Sequence, residues 1–295
     1  MSANYRSVFH SDLFSGRRVM ITGGGSGIGR CVAHELASLG AEVLLAGRTR
    51  AKLEAVVSEI RADGGSARSG ICDVRDEEAV AEIVAEFAAE GAIHALVNCA
   101  GGQFPALLSE MSTKGFDAVI RNNLIATFTV SRAVFDACMR DNGGAIVNIT
   151  ADTPGGMPLM GHTGAARAGV ENLTATAALE WARHGIRVNA VAPGYVITSG
   201  FDTYSDERMI NAFSSFGECT PLGRLGTESE VSAAVVFLLS PAASFIDGQV
   251  LRVDGGFGLK TRTPMLALEV ASSYPAFEGF HLSVLPGVLA AEDDD

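Results

Sequence analysis

The chain is short of cysteine, of long apolar runs and of clustered positive charge, and each shortage removes a class of protein. Five cysteines in 295 residues (Cys31, Cys72, Cys99, Cys138, Cys219) are widely spread, odd in number and never in a C-x-x-C spacing. That excludes a disulfide framework and gives no thiolate metal site; buried free thiols in a reducing compartment are expected, and no metal. No apolar run reaches the ~18 residues of a membrane span. Lys and Arg number 22 against 34 Asp and Glu, for a net charge of −12, and no Lys/Arg-rich block occurs. Nucleic acid and anionic membranes are therefore poor partners, although a few local cations can still hold an anionic small molecule. The first fourteen residues are polar, without a signal-peptide apolar region, and Glu292-Asp293-Asp294-Asp295 matches no C-terminal address. A cytoplasmic protein is expected.

What is present is alternation. Short, nearly continuous apolar runs at 18–22, 42–46, 69–72, 95–98, 145–150, 187–192 and 249–253 read as strands covered on both faces. Between them, 29–39, 50–63, 77–90, 114–141, 164–184 and 228–240 read as helices. Strict strand–helix alternation predicts right-handed crossovers and an α/β fold. That fold is a single doubly wound parallel sheet (Rossmann fold) with helices on both faces and ligands at the carboxyl ends of the strands.

The first strand runs into Thr22-Gly23-Gly24-Gly25-Ser26-Gly27-Ile28-Gly29, and a helix follows. A glycine-rich turn at a helix N-terminus lets the backbone approach a dinucleotide pyrophosphate, and the helix amides favour its charge. Gly23, Gly25, Ser26, Gly27, Ile28 and Gly29 are the expected contacts. The second strand ends at Gly47-Arg48, with Arg50 nearby, and no acid stands where one would hold the ribose 2′-hydroxyl of NAD. A guanidinium there suits a 2′-phosphate, so NADP(H) is expected over NAD(H); a solvated arginine at a helix start is the competing reading. Asp73 is placed to accept from the adenine amine or, alternatively, to cap the next helix, a role that suits Asp76 better. The small residues closing the fourth strand, Asn98-Cys99-Ala100-Gly101-Gly102, let a cofactor lie against the backbone.

Residues 197–220 carry Phe201, Tyr204, Phe213 and Phe216 after a strand end. They read as a lid or substrate loop, or as an ordinary surface excursion. After Gly256 the pattern stops. Residues 1–256 are read as one cofactor-binding domain and 257–295 as a tail whose apolar patches (265–268, 277–282) pack on the same or a neighbouring subunit.

From Phe9 to Gly256 the chain resembles the short-chain dehydrogenases/reductases. The resemblance rests on Thr22–Gly29, Asp73-Val74, Asn98–Gly101, Asn123, Pro193-Gly194 with Thr198, and Val253-Asp254-Gly255-Gly256. Residues 101–104, 162–170 and 239–245 resemble the peroxisomal trans-2-enoyl-CoA reductases, and 8–13 the related 2,4-dienoyl-CoA reductases. The resemblance implies NADPH, a homo-tetramer or dimer, and acyl-thioester (acyl-CoA) or similar conjugated substrates. It adds Val74, Ala100, Gly101, Asn123, Arg167, Pro193, Gly194, Val196 and Thr198 to the expected coenzyme contacts.

Most members of that family carry a Tyr-x-x-x-Lys pair and a serine at the end of strand five. Position by position these sites fall here at Thr163, Arg167, and Thr150 or Ala151; Asn123 keeps its identity. A second route to the pair, found in some enoyl-CoA reductases, is closed by Glu171 and Ala175. A threonine hydroxyl is a poor acid, and arginine does not pass protons. Reduction of an enoyl thioester instead needs donors for an enolate oxygen, and Thr150, Thr163 and Arg167 are candidates. His162 is a spare acid or a packed helix-start residue. Asp152 is a partner for His162 or Arg167, or a solvated loop acid. Tyr195 and Tyr204 are the nearby phenols. The readings in play are an enoyl reductase, a dehydrogenase/reductase of an alcohol, aldehyde or ketone (lipid-like or terpenoid), and a catalytically silent cofactor-binding member.

Overall fold

A computed structural model of the chain describes residues 4–153, 155–213, 215–259 and 274–289. Seven parallel strands lie in the order β3-β2-β1-β4-β5-β6-β7: β1 Arg18–Thr22, β2 Glu42–Gly47, β3 Ser66–Ile71, β4 Ala95–Asn98, β5 Gly144–Ile149, β6 Ile186–Pro193 and β7 Val250–Val253. The helices are α1 Gly27–Ser38, α2 Arg50–Ala62, α3 Glu77–Ala89, α4 Thr113–Ile120, α5 Ala126–Val134, α6 Arg140–Asn142, α7 Gly161–Trp181, α8 Glu207–Phe213 and α9 Glu228–Leu239. Strand order reverses between β1 and β4, where Thr22 pairs with Asn98. The doubly wound sheet is thus the one the alternation predicts, and its switch point sets the ligand cleft.

Consecutive strand residues feed opposite layers. Val19 and Ile21 pack with Leu36, Leu45, Val97 and Val235, while Met20 packs with Leu44, Phe87, Leu96 and Val130. Burial on both faces is why the strands read as unbroken apolar runs. The third strand departs from expectation. It begins at Ser66 rather than 69 and stops before Cys72, because it is the sheet edge and its polar outer residues carry no apolar signal. The helix expected at 114–141 is one rod interrupted by two π turns, Arg121–Ile125 and Phe135–Met139. The first helix begins at Gly27 instead of 29, and α7 at Gly161 instead of 164, so His162 and Thr163 lie inside its first turn. Among the described residues no helix is long and apolar enough to cross a membrane.

Residues 274–289 dock on the same chain. The Thr227 hydroxyl donates to the Phe277 carbonyl at 2.7 Å, and that of Ser229 to the Glu278 carboxylate at 2.9 Å. Phe280 is buried against Tyr5 and His34, with the Arg30 guanidinium 5.0 Å from its ring. The apolar patch at 265–268 lies outside the described residues. Removing a buried phenyl from such a site typically costs roughly 3–5 kcal/mol. Phe280→Ala is therefore expected to lower the midpoint of denaturant unfolding by a corresponding amount; an unchanged midpoint would show that the docked segment contributes nothing to stability.

Candidate active site

The cleft starts where β1 ends. The Thr22 hydroxyl accepts from the amides of Cys99 and Ala100, both at 3.1 Å, and so ties the carboxyl ends of β1 and β4 together. The turn that follows needs glycine at two points. A Cβ on Gly23 (φ +70°) would lie 2.9 Å from Ala100 Cα, and one on Gly29 would lie 2.5 Å from the Gly23 carbonyl oxygen. The α1 N-cap, Ser26, makes no side-chain capping bond, and the first turn carries no acid. The leading amides of α1 are left to an anion, so the turn fits a dinucleotide pyrophosphate.

At the end of β2, Arg48 is exposed and, among the described residues, in no ion pair, whereas Arg50 pairs with Glu54 at 3.3 Å. The Lys52 stem lies 3.1 Å from a Cβ position on Gly25. Asp73 does not cap α3; Asp76 does, accepting from the amides of Glu78 and Ala79. Asp73 is instead gripped by Arg75 (2.6 Å), whose hydrogen bonds hold its carboxyl down at about 2. Val74 beside it is buried. Asn98 is occupied in the interior: its amide donates to Ser131 and to Asn148, which in turn donates to Thr174.

The first π turn places Asn123. Its side chain is fully buried, donates to the carbonyls of Gly102 (2.8 Å) and Val119 (2.9 Å), and accepts from the Gly102 amide. An extra residue in the turn rotates this amide inward, onto the loop leaving β4. Across from it stands Arg167, one helical turn after Thr163 on α7. One guanidinium nitrogen donates to the Ile149 carbonyl at 2.6 Å. The other lies 2.5 Å from a Cβ position on Gly101, beside the Asn123 oxygen (2.7 Å from the same position). Arg167 is 8% exposed. Burial pushes its pKa down to about 10, so it stays charged at neutral pH. Burial likewise pushes the Cys99 thiol up to about 11, against the pull of Arg167. A cation thus sits between the carboxyl ends of β4 and β5, where the family's lysine position falls.

The remaining expected residues divide. Thr163 is buried, with its amide donating to His162 Nδ1 at 2.8 Å. That bond fixes the proton on Nε2, which finds no hydrogen-bond partner among the described residues; the imidazole lies edge-on to Phe104, and burial lowers its pKa. The Thr150 hydroxyl donates to the Val191 carbonyl at 3.3 Å. Asp152 pairs with neither His162 nor Arg167. It meets Arg252 on β7 at 2.9 Å across the end of β6, where the Asp152 amide donates to the Pro193 carbonyl and Ala192 pairs with Arg252. Glu171 stands near this pair, its carboxyl pushed up by burial. Pro193 ends β6, and the Gly194 amide donates to the Val253 carbonyl at 3.0 Å. Val196 is buried, and Thr198 lies 3.8 Å from a Cβ position on Gly27.

The segment expected to be a lid folds as two 3-10 turns flanking α8. Phe201 stacks on Phe213 at 4.5 Å and Tyr195 on Phe216 at 4.0 Å. The Tyr204 hydroxyl accepts from Gln103 at 2.7 Å, bridging this segment to the loop after β4. Both nearby phenols are therefore engaged in contacts of this segment. Sequence reasoning missed the Gln103 bridge, the Asp152–Arg252 pair and buried Glu228. Each depends on segments distant in the chain, and no local pattern signals them.

A glycine turn at a strand-order switch thus faces a cleft that holds a buried cation. Residues 23–258 match the family described as enoyl-(acyl carrier protein) reductase. Gluconate 5-dehydrogenase of Gluconobacter oxydans (strain 621H) is 41% identical over 259 residues, 84% of this chain and 97% of the other. Peroxisomal 2,4-dienoyl-CoA reductase of Rattus norvegicus is 37% identical over 258 residues, 86% and 88%. Among solved structures, a citronellol catabolism dehydrogenase from Pseudomonas aeruginosa PAO1 is 52% identical with a TM-score of 0.78, covering 86% of this chain and all of the other. The chain belongs to the short-chain dehydrogenase/reductase family, whose members bind nicotinamide coenzymes.

Proposed function

We propose that this chain is an NADPH-dependent reductase of α,β-unsaturated acyl thioesters. The observation that carries the reading is Arg167: a charged guanidinium held in the cleft at the lysine position, with no phenol beside it. Such a site is badly suited to proton exchange with an alcohol and well suited to stabilising charge on an oxygen. NADPH, when bound, would supply a hydride for the substrate's β carbon. Arg167 would hold the ribose end of the coenzyme and keeps a positive charge in the cleft for an enolate oxygen, while Asn123 positions the loop after β4 through Gly102. Thr163 offers a hydroxyl one turn away on the same helix, and water protonates the α carbon. Exposed Arg48, without an ion-pair partner among the described residues, supports NADP(H) over NAD(H). Exposed apolar side chains on α7 (Leu179) and on the rod opposite it (Ile125, Phe128) support a homo-oligomer that covers them.

A second reading, a dehydrogenase of acyclic terpenoid-like alcohols, is favoured by the 52% identity to the citronellol catabolism dehydrogenase and by the aromatic lid. Incubation with NADPH and crotonyl-CoA or a longer enoyl-CoA, followed by nicotinamide absorbance, separates the two. Loss of absorbance is expected. Gain of absorbance with NADP+ and citronellol, and none lost with enoyl thioesters, would replace the first reading by the second. Tight NADPH binding without turnover of either would make the chain a silent subunit.

A further inference from the structure

Glu228 opens α9 and is 9% exposed, yet its carboxyl group makes no hydrogen bond or ion pair among the described residues. Capping of α9 does not use it; Thr227 and Glu230 form the capping box. One carboxyl oxygen lies 3.9 Å from a Cβ position on Gly27, the first residue of α1, on the side where Thr198 also approaches. A largely buried acid, whose carboxyl oxygens still reach solvent and hydrogen-bond to nothing among the described residues, thus lies beside the turn suited to a pyrophosphate.

The groups around it do not neutralise it. Arg30 on α1 attracts it, but the Arg30 guanidinium is already bonded to Glu59 at 2.8 Å and to the Leu282 carbonyl at 3.4 Å. Glu278 on the docked tail repels it. Cys31, buried on α1, and Cys99, partly buried after β4, are thiols whose own ionisation Glu228 opposes. Glu230 on the same helix is paired with Arg224 at 2.6 Å. A carboxylate here would face a second anion once a dinucleotide is bound, whereas a carboxylic acid would present a donor.

We infer that Glu228 is a coenzyme-contact residue that acts in its protonated form, donating a hydrogen bond to the pyrophosphate, so that coenzyme binding takes up a proton. This rests on the dinucleotide reading of the site. Burial already pushes the carboxyl up to about 7 in the absence of coenzyme. The sign follows: below pH 7 the acid is in place and binding is strong, and as pH rises through 7 the proton must be recovered before binding.

NADPH affinity, read by nicotinamide fluorescence between pH 6 and 9 for the wild type and Glu228→Gln, tests it. The wild-type Kd is expected to climb with pH above 7 by up to about tenfold per unit, the limit for one linked proton. Glu228→Gln, a neutral isostere, is expected to stay tight, and any titration of the coenzyme's own 2′-phosphate cancels between the two proteins. Calorimetry of the wild type at pH 8 in two buffers of different ionisation enthalpy should show net proton uptake, a readout that needs no variant to fold. Parallel Kd profiles, or no proton uptake, would overturn the proposal. Absence of NADPH binding at any pH in both proteins would instead sink the coenzyme reading itself.

Discussion

Arg167→Met is expected to cut turnover by roughly a hundred- to a thousandfold, the usual loss on removing one preorganised donor from an oxyanion-stabilising site. Thermal stability should hold or rise. The guanidinium is buried, and among the described residues it donates to the Ile149 carbonyl and meets no carboxylate. Keeping a charge whose pKa burial has pushed down to about 10 costs on the order of 3 kcal/mol. Replacing it with an apolar side chain of similar length relieves that cost, as often happens on replacing buried charges. Activity and stability therefore move apart, which a merely structural residue would not produce. Steady-state rates with an enoyl thioester and a melting curve of the same preparation check both halves. Unchanged rates would remove Arg167 from the mechanism, and a collapsed melting temperature would make it a scaffold residue.

Arg48→Asp is expected to weaken NADPH by about a hundredfold or more while changing NADH far less. The side chain stands exposed at the end of β2 in no direct ion pair among the described residues; the nearby Asp73 attracts it only weakly and is already gripped by Arg75, which leaves the Arg48 charge available to a ligand. A hydrogen bond to a charged group contributes about 1.5–3 kcal/mol, and reversing the sign adds repulsion; each 1.4 kcal/mol is tenfold. An aspartate at this point also offers an acceptor for a ribose 2′-hydroxyl, and NADH binding is compared directly in the same fluorescence titration. Equal losses for the two coenzymes would remove Arg48 from the 2′-phosphate site.

Most of the scaffold was legible. The apolar runs gave β1 and β4 at their observed bounds, and Thr22 to Gly29 marked the coenzyme turn, because both are local: burial on two faces and a turn that excludes side chains leave their mark on adjacent residues. The edge strand β3 was legible only in part, since half-exposed residues carry no continuous apolar run. The π turn that buries Asn123 was not legible, as its residues have an ordinary helical sequence and the distortion answers to Gly102 on another segment.

The sequence by itself determined the doubly wound class of the sheet, the glycine cradle and the loss of the tyrosine–lysine pair, while the strand order that places the switch point came from the fold. The tertiary structure alone decided which side chains meet. It sent Asp152 to Arg252, Asp73 to Arg75, both lid-side phenols into packing or bridging contacts, the tail onto α1 and α9, and Glu228 toward the pyrophosphate turn. The physical reason is range. Backbone conformation and burial follow from neighbours a few residues away, but the charge and hydrogen-bond partners of a buried group come from segments a hundred residues or more distant, and only folding brings them within reach.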